Sequence, residues 1–147
     1  MIRTANAIWK GTGTKGSGTL TTPQSGVFDK QPYSLKLRFE NEDGKKGTNP
    51  EELIAAAHSG CFAMALSVAL EKAGFNADTL DVVADLSLDK KVGGGWAITR
   101  ILLKLDASVP GISADEFEEI ATGAKEGCPV SQLLNCDIEL EHTLKQA

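Results

Sequence analysis

Cysteines are the residues of this sequence whose chemistry stands out. The 147 residues contain three of them, Cys61, Cys128 and Cys136. The thiolate form of cysteine is a strong nucleophile, and it is also the form that binds metals. An odd number of cysteines, in a chain long enough to fold unaided, argues against a structural disulfide framework and leaves room for reactive thiols.

Cys128 occupies an activating position. It precedes Pro129 at the expected start of a short helix, where unpaired backbone N–H groups and the helix dipole stabilise a thiolate. The alternative is that Gly127-Cys128-Pro129 only ends one helix and starts another. Cys136 differs, because it alternates in phase with the apolar residues of the last expected strand, and packing is its simplest role.

Cys61 lies in the middle of a helix expected from Thr48 to Gly74. Asn49 is a good N-cap with Glu52 three residues later, and Gly74 closes the other end. Apolar residues occupy nearly all positions between them, a pattern that predicts a buried helix. Because a buried cysteine is commonly a small hydrophobic residue, Cys61 taken alone fits a structural role as well as a reactive one.

His58 and Cys61 are three residues apart and share a helix face. Such a pair could begin a zinc site, but two further ligands at a sensible spacing are lacking. It could also form a nucleophilic cysteine–histidine pair, although no nearby Asn or Asp orients the base.

Two charged residues have structural explanations by default, because Glu51 suits the first turn of a helix and Arg38 suits a solvated strand face.

Composition limits the classes of function. The net charge of -5 and the isoelectric point near 5.0 argue against a nucleic-acid or anionic-membrane surface, since both need clustered Lys and Arg. The sequence opens with no charged-then-apolar leader, and we expect a soluble, cytoplasmic protein. A glycine-rich segment from Gly11 to Ser17 is not a phosphate-binding loop, because Ser17 stands where the required lysine should be.

The order of elements predicts a single α+β domain over residues 1–147. Alternation and glycine turns predict a hairpin from Thr4 to Thr22, then a strand from Tyr33 to Phe39 that points Arg38 away from its apolar face. After the central helix we expect two long strands, Leu80–Lys90 and Trp96–Val109. Two helices should follow, one capped by Ser113 and a short one that begins at Cys128 and packs Val130, Leu133 and Leu134 inward. The last expected strand is Cys136–Leu144. This βββ-α-ββ-α-α-β order groups the strands around a long buried central helix.

Three separated motifs carry a resemblance to a known family. They are Lys46-Gly47-Thr48-Asn49-Pro50-Glu51-Glu52-Leu53, Ala57-His58-Ser59-Gly60-Cys61-Phe62 and Gly127-Cys128-Pro129-Val130-Ser131. In this order they resemble the osmotically inducible protein C (OsmC) family and its relatives, the organic hydroperoxide resistance proteins. The segments Gln31-Pro32-Tyr33, Arg38-Phe39 and Val109-Pro110-Gly111-Ile112 are similar to the OsmC branch in particular.

The resemblance implies a thiol peroxidase that reduces organic hydroperoxides to alcohols, without metal, flavin or another cofactor. Cys61 matches the peroxidatic cysteine and Cys128 the resolving cysteine, which implies a Cys61–Cys128 disulfide that an external dithiol reduces, with a lipoyl-type group as the candidate. Arg38 matches the arginine that holds the thiolate and orients the peroxide, and Glu51 matches the glutamate that pairs with this arginine. The family pattern assigns no role to Cys136.

Helix geometry adds an expectation about assembly. Glu51 and Cys61 are ten residues apart on one expected helix, so their backbones should lie about 15 Å apart along its axis, which a glutamate and one arginine span with difficulty. We therefore expect Glu51 and Arg38 of one subunit to serve Cys61 of another. The result is an obligate, intertwined homodimer, as the resemblance also implies.

Two other functions stay open at this point. One is a thiol hydrolase built on Cys61 and His58, which would form an acyl-enzyme and would not need Cys128. The other is a non-enzymatic domain that binds an apolar ligand, in which both cysteines only pack. A nucleic-acid or membrane partner is not expected.

Overall fold

The computed structural model describes residues 1–41 and 43–145. Its strands are β1 (Asn6–Lys10), β2 (Ser17–Thr21), β3 (Gln31–Tyr33), β4 (Thr79–Lys90), β5 (Trp96–Ser108) and β6 (Asp137–Lys145). Its helices are α1 (Leu35–Phe39), α2 (Pro50–Lys72), α3 (Ala114–Gly127) and α4 (Pro129–Leu133), with a 3-10 turn at Gly13–Lys15. The chain forms two compact units, Met1–Leu53 and Ile54–Ala147, and the prediction of a single domain over 1–147 stays a prediction.

The first unit contains an antiparallel sheet in the order β1–β2–β3. The predicted N-terminal hairpin is confirmed, with Trp9 opposite Gly18 and Gly18 opposite Tyr33. A side chain at Gly18 would overlap the backbone of Ile8 and the ring of Tyr33. Glycine at this position therefore lets the Trp9 and Tyr33 rings pack across the sheet, with their centroids 5.4 Å apart.

The segment after β3 differs from the prediction. The sequence pattern predicts a strand from Tyr33 to Phe39, and this prediction is wrong, because β3 ends at Tyr33 and helix α1 follows. Ser34 is the N-cap of α1, and its hydroxyl oxygen accepts a hydrogen bond from the Leu37 amide at 3.0 Å. This local bond favours a helical turn over the strand that the alternating apolar residues predict. Arg38 consequently lies in the last turn of a short helix instead of on a strand face.

Helix α2 begins and ends where the sequence predicts. The side-chain oxygen of Asn49 accepts a hydrogen bond from the Glu52 amide at 2.8 Å, and Gly74 has a φ of +90° just beyond the helix. One stripe at four-residue spacing is fully buried, and it consists of His58, Phe62, Leu66 and Leu70. In the single chain the other side of α2 is open, since Met64 and Val68 are 67% and 48% exposed.

The length and hydropathy of α2 also meet the criterion for a membrane-spanning helix, with a mean hydropathy of 1.8 over its apolar window. Core helices of water-soluble domains meet the same criterion. Phe62, Leu66 and Leu70 of the fully buried stripe belong to the core of the second unit.

The second unit is built on a mixed sheet in the order β4–β5–β6. Strands β4 and β5 form the predicted antiparallel hairpin, while β6 pairs in parallel with β5. A parallel neighbour needs a crossover connection, and α3 and α4 provide it. The buried stripe of α2 joins inward residues of β5 and α3 in one core, which includes Ile101, Leu103, Leu105, Phe117 and Ala121. The predicted strands and helices of this unit are confirmed.

One prediction about α4 is wrong. The sequence places Leu133 in the core, but Leu133 is 79% exposed. Val130 and Leu134, four residues apart, pack against the core from one side of the helix. Helix α4 has five residues, and Leu133 lies outside the side of the helix that packs against the core.

Asn49 offers a test of how α2 begins. Asn49→Ala removes the acceptor for the Glu52 amide and should lower the free energy of unfolding by about 1 kcal/mol. Asn49→Asp keeps an acceptor and places a negative charge at the helix N-terminus, so it should stay close to the parent. Urea denaturation at one protein concentration measures both. Equal losses in the two variants would show that this cap does not stabilise the helix.

Candidate active site

Arg38 and Glu51 form a bidentate ion pair in the first unit. Arg38 lies in the last turn of α1, and Glu51 lies in the first turn of α2. The Arg38 Nε donates to Glu51 Oε2 at 3.0 Å, and Nη2 donates to Oε1. The two side chains are 29% and 13% exposed, so the pair is partly shielded from water. This pairing fixes the plane of the guanidinium and leaves further N–H donors that Glu51 does not use.

Two free thiols meet in the second unit. Cys61 is half-buried on α2, and Cys128 is fully buried as the N-cap residue of α4. Each thiol acts on the pKa of the other through a side-chain hydrogen bond, so the two side chains are neighbours. The structure therefore brings together the two cysteines that the resemblance pairs.

The contact makes the two thiols unequal. Burial raises the pKa of Cys61, and the hydrogen bond and charge of Cys128 add to this rise, whereas the Val130 backbone N–H opposes it. Burial also acts to raise the pKa of Cys128, but the backbone N–H of Ser131, the Cys61 thiol and the Ser131 hydroxyl together lower it below its ordinary value. Within one chain, Cys128 is therefore the more readily ionised thiol.

A buried histidine lies beside the dithiol. His58 is 0% exposed, and its Nε2 is 2.8 Å from the Oγ of Ser131 on α4. Its Nδ1 has no hydrogen-bond partner among the residues that the structure describes. Because burial lowers the pKa of His58, the neutral ring is favoured.

Ser131 is a site residue that the sequence interpretation missed. Its hydroxyl contacts both His58 and the Cys128 sulfur. The available signal was its spacing, since a side chain three residues after an N-cap residue can reach back to that residue.

An apolar cavity of about 410 Å³ borders Cys61. It is lined by Cys61, Met64, Ala65, Val68, Ala124, Gly127 and Pro129. This lining is free of charged side chains and suits the hydrocarbon part of a small molecule.

Cys136 does not belong to the dithiol. It packs against the core, as the alternation of the last strand predicts. Burial raises the pKa of Cys136, and the neighbouring charge of Asp137 adds to the rise. In the described parts of the chain, no group of three His, Cys, Asp or Glu side chains is arranged to hold a metal ion.

Comparison with known proteins identifies the family. The family model for OsmC-like proteins matches residues 42–143. The chain belongs to the OsmC family. Peroxiredoxin OsmC of Escherichia coli K12 is 53% identical over 139 residues, which are 95% of this chain and 94% of that protein. The organic hydroperoxide resistance protein of Xanthomonas axonopodis pv. citri is 33% identical over 106 residues, which are 69% of each protein.

Solved structures show the same fold. An OsmC-like protein from Vibrio cholerae matches with a TM-score of 0.76 at 18% identity, over 97% of this chain and 99% of that one. The organic hydroperoxide resistance protein OhrB of Bacillus subtilis matches with a TM-score of 0.66 at 26% identity, over 97% and 98%. The predictions of an α+β fold of the OsmC type and of a peroxidase, an oxidoreductase, are confirmed. The roles of individual residues stay predictions.

His58 gives a prediction for stability against pH. Burial holds its pKa below the ordinary value of about 6.5, so the unfolded chain takes up this proton at a higher pH than the folded chain. Stability should therefore fall below about pH 6.5, by up to about 1.4 kcal/mol per pH unit from this residue. His58→Gln removes the effect, so between about pH 7.5 and 5.5 the parent should lose more stability than the variant in urea denaturation. Parallel losses would contradict the prediction.

Proposed function

We propose that this protein reduces organic hydroperoxides to alcohols through a cycle of the Cys61 and Cys128 thiols. The observation that carries the proposal is the contact between these two free thiols, of which one is half-buried beside an apolar cavity and the other fully buried. The names of the relatives support it, because they include a peroxiredoxin and organic hydroperoxide resistance proteins.

The cycle has three steps. The Cys61 thiolate attacks the terminal oxygen of the hydroperoxide, the O–O bond breaks, an alcohol leaves, and Cys61 becomes a sulfenic acid. The Cys128 sulfur then attacks the Cys61 sulfur, the S–O bond breaks, and water leaves as the disulfide forms. An external dithiol, for which we propose a lipoyl-type group, restores both thiols by exchange and is itself oxidised to a disulfide. Without Cys128, the sulfenic acid would be exposed to further oxidation.

The cavity beside Cys61 supports a hydroperoxide with an apolar substituent. Its lining offers hydrocarbon contacts next to the reacting sulfur, mainly from Met64, Val68 and Pro129. Burial of such a substituent contributes about 25 cal/mol per Å² of apolar area removed from water. Hydrogen peroxide has no apolar substituent and gains nothing from this surface.

A cation is the component that Cys61 needs for this chemistry. An ordinary thiol with a pKa of about 8.5 is only a few per cent ionised at neutral pH, and burial and Cys128 raise the pKa of Cys61. The causes that set this pKa are burial, the Val130 backbone N–H and Cys128. We assign the missing charge to Arg38, whose forked donors suit both the sulfur and the peroxide oxygen, and we assign the orientation of that fork to Glu51.

We propose that Arg38 reaches Cys61 across the interface of a homodimer. The spacing of Glu51 and Cys61 along α2 supports this arrangement, because about 15 Å of helix axis separates them. The open side of α2 supports it as well, since Met64 and Val68 expose apolar surface that a second subunit would cover. The site would then occur twice in each dimer.

We place the protein in the cytoplasm, where reducing conditions keep thiols such as Cys61, Cys128 and Cys136 free. The net charge of -5 supports neither a nucleic-acid nor an anionic-membrane partner.

The hydrolase alternative finds less support in the geometry. A hydrolase needs His58 as the base for Cys61, but Nε2 is bonded to Ser131 and, among the described residues, Nδ1 makes no hydrogen bond to Cys61. A non-enzymatic ligand-binding role would make no use of the contact between Cys61 and Cys128.

Cysteine variants test the cycle. Cys61→Ser should abolish the dithiol-dependent reduction of cumene hydroperoxide, because a hydroxyl is a far poorer nucleophile than a thiolate. Cys128→Ser should react once and then stall with oxygen added to the Cys61 peptide, as mass spectrometry would show. Cys136→Ala is the matched control and should turn over like the parent. Full turnover by Cys128→Ser would remove Cys128 from the cycle.

Arginine variants test the assigned cation. Arg38→Ala should lower the rate at neutral pH by about one to three orders of magnitude and recover partly at alkaline pH, where Cys61 ionises without help. Arg38→Lys should restore only part of the loss, because a point charge lacks the fork of donors. The rates of the parent, Arg38→Ala and Arg38→Lys proteins, measured against pH, test the role of Arg38 as the cation at Cys61. A fully active Arg38→Lys enzyme would contradict the orienting role.

A mixed dimer tests the shared site. Cys61→Ser and Glu51→Ala chains, each inactive alone, are unfolded and refolded together. If the site draws on two subunits, the heterodimer holds one intact site and should regain part of the parent activity. A heterodimer that forms but stays inactive, or an active monomer in sedimentation, would contradict the arrangement.

A further inference from the structure

The environment of His58 determines where its proton lies. The ring is fully buried, Nε2 is 2.8 Å from Ser131 Oγ, and Nδ1 has no partner within the described residues. A neutral imidazole carries one N–H group and one bare nitrogen. A buried N–H group without an acceptor is rarer and costlier than a bare nitrogen without a donor. The proton therefore belongs on Nε2, which donates to Ser131.

This tautomer fixes the direction of the Ser131 hydroxyl. Once Oγ accepts from His58, the single O–H of Ser131 is available for donation elsewhere. The Cys128 sulfur is the second partner of this hydroxyl. Ser131 lies three residues after Cys128 at the start of α4, a spacing that places the two side chains on the same face. The hydrogen bonds therefore run in one direction, from His58 to Ser131 and from Ser131 to Cys128.

We propose that His58 is a positioning residue, which holds the Ser131 hydroxyl as a hydrogen-bond donor to Cys128 and so keeps Cys128 ready to attack the oxidised Cys61. This inference rests on the proposed peroxidase cycle. It gives His58 a role that needs neither a metal nor a cysteine–histidine pair with Cys61. Burial supports it, because a neutral ring keeps a bare Nδ1 and a fixed Nε2–H.

The hydrogen bonds from His58 to Ser131 and from Ser131 to Cys128 assist the formation of the disulfide. The Cys128 thiolate gives an electron pair to the sulfenic sulfur of Cys61, and an S–S bond forms. The S–O bond breaks, and the oxygen leaves with its electron pair and takes a proton from solvent to give water. Cys128 is oxidised and Cys61 is reduced. The Ser131 hydroxyl contributes by stabilising the negative charge on Cys128 before the attack.

The test measures Cys128 without any peroxide. In a Cys61→Ser, Cys136→Ala background, Cys128 is the only cysteine left in the full chain. The ultraviolet absorbance of the thiolate, followed against pH, reports the ionised fraction of Cys128 although this thiol is buried. Ser131→Ala should move the midpoint of this titration up by about one pH unit. His58→Leu should have a similar effect.

Conservative variants separate positioning from a merely structural role. His58→Gln keeps an N–H donor near the place of Nε2, and Ser131→Thr keeps the hydroxyl, so both should retain the parent profile. His58→Asn is too short to reach Ser131 and should behave as His58→Leu, which covers the case that His58→Leu does not fold. Ser59→Ala is the matched control, because the Ser59 hydroxyl donates to the Ala56 carbonyl.

If Cys128 ionises over the same pH range in Ser131→Ala as in the parent, the proposal is overturned. A shift in Ser131→Ala with none in His58→Asn would overturn the role of His58. Because these measurements use no peroxide, they stand or fall separately from the peroxidase cycle. In the chain with all its cysteines, dimedone trapping after one equivalent of cumene hydroperoxide should then show a Cys61 sulfenic acid that lives about three times longer in Ser131→Ala, because the higher nucleophilicity of a more basic thiolate partly offsets its smaller fraction. An unchanged lifetime would show that the hydrogen bond does not assist the attack.

Discussion

The closeness of the Cys61 and Cys128 side chains, each of which acts on the pKa of the other, is the constraint on which the candidate active site depends. The two residues belong to different helices, so the contact requires α2 and the start of α4 to be held together. The core does this, because Phe62, next to Cys61, is fully buried in the same cluster as Cys128. Close packing of such a cluster leaves little freedom for either helix to slide. The core is thus what keeps two thiols within bonding reach in the reduced chain.

Two thiols in contact cannot both carry a negative charge at low cost, because each thiolate disfavours the other. In the single chain the charge is favoured on Cys128, whose pKa the backbone N–H groups of Ser131 and Val130 help to lower. A cation at Cys61 would reverse that preference for the first step of the proposed cycle. After oxidation Cys61 is uncharged, and the preference for a thiolate on Cys128 is what the second step requires. The bidentate pair of Arg38 and Glu51 fixes the plane of one guanidinium in the first unit.

The sequence predicts the long elements well, because their signals are strong and local. Helix α2 has a cap at each end, and β4, β5 and β6 alternate over nine or more residues. Helix α1 is missed because one hydrogen bond from the Leu37 amide to Ser34 outweighs the alternation of apolar and polar residues from Tyr33 to Phe39. Leu133 is misplaced because a helix of little more than one turn has room for few inward positions.

The site is predictable only in part. The resemblance pairs Cys61 with Cys128 and Arg38 with Glu51, and the structure brings both pairs together. The contact of His58 with Ser131 joins α2 to α4 across most of the second unit's sequence, and no local pattern indicates it. The unequal pKa values of the two thiols depend on burial and on backbone N–H groups, which exist only in the folded chain.

Peptide mapping after one equivalent of cumene hydroperoxide tests the central claim most directly. Free thiols are blocked after the reaction, the protein is digested without reductant, and the peptides are identified by mass spectrometry. Each chain should lose two thiols, the peptides of Cys61 and Cys128 should be joined within one chain, and Cys136 should be recovered blocked. A disulfide through Cys136, a bond between two chains, or the recovery of all three thiols would contradict this claim.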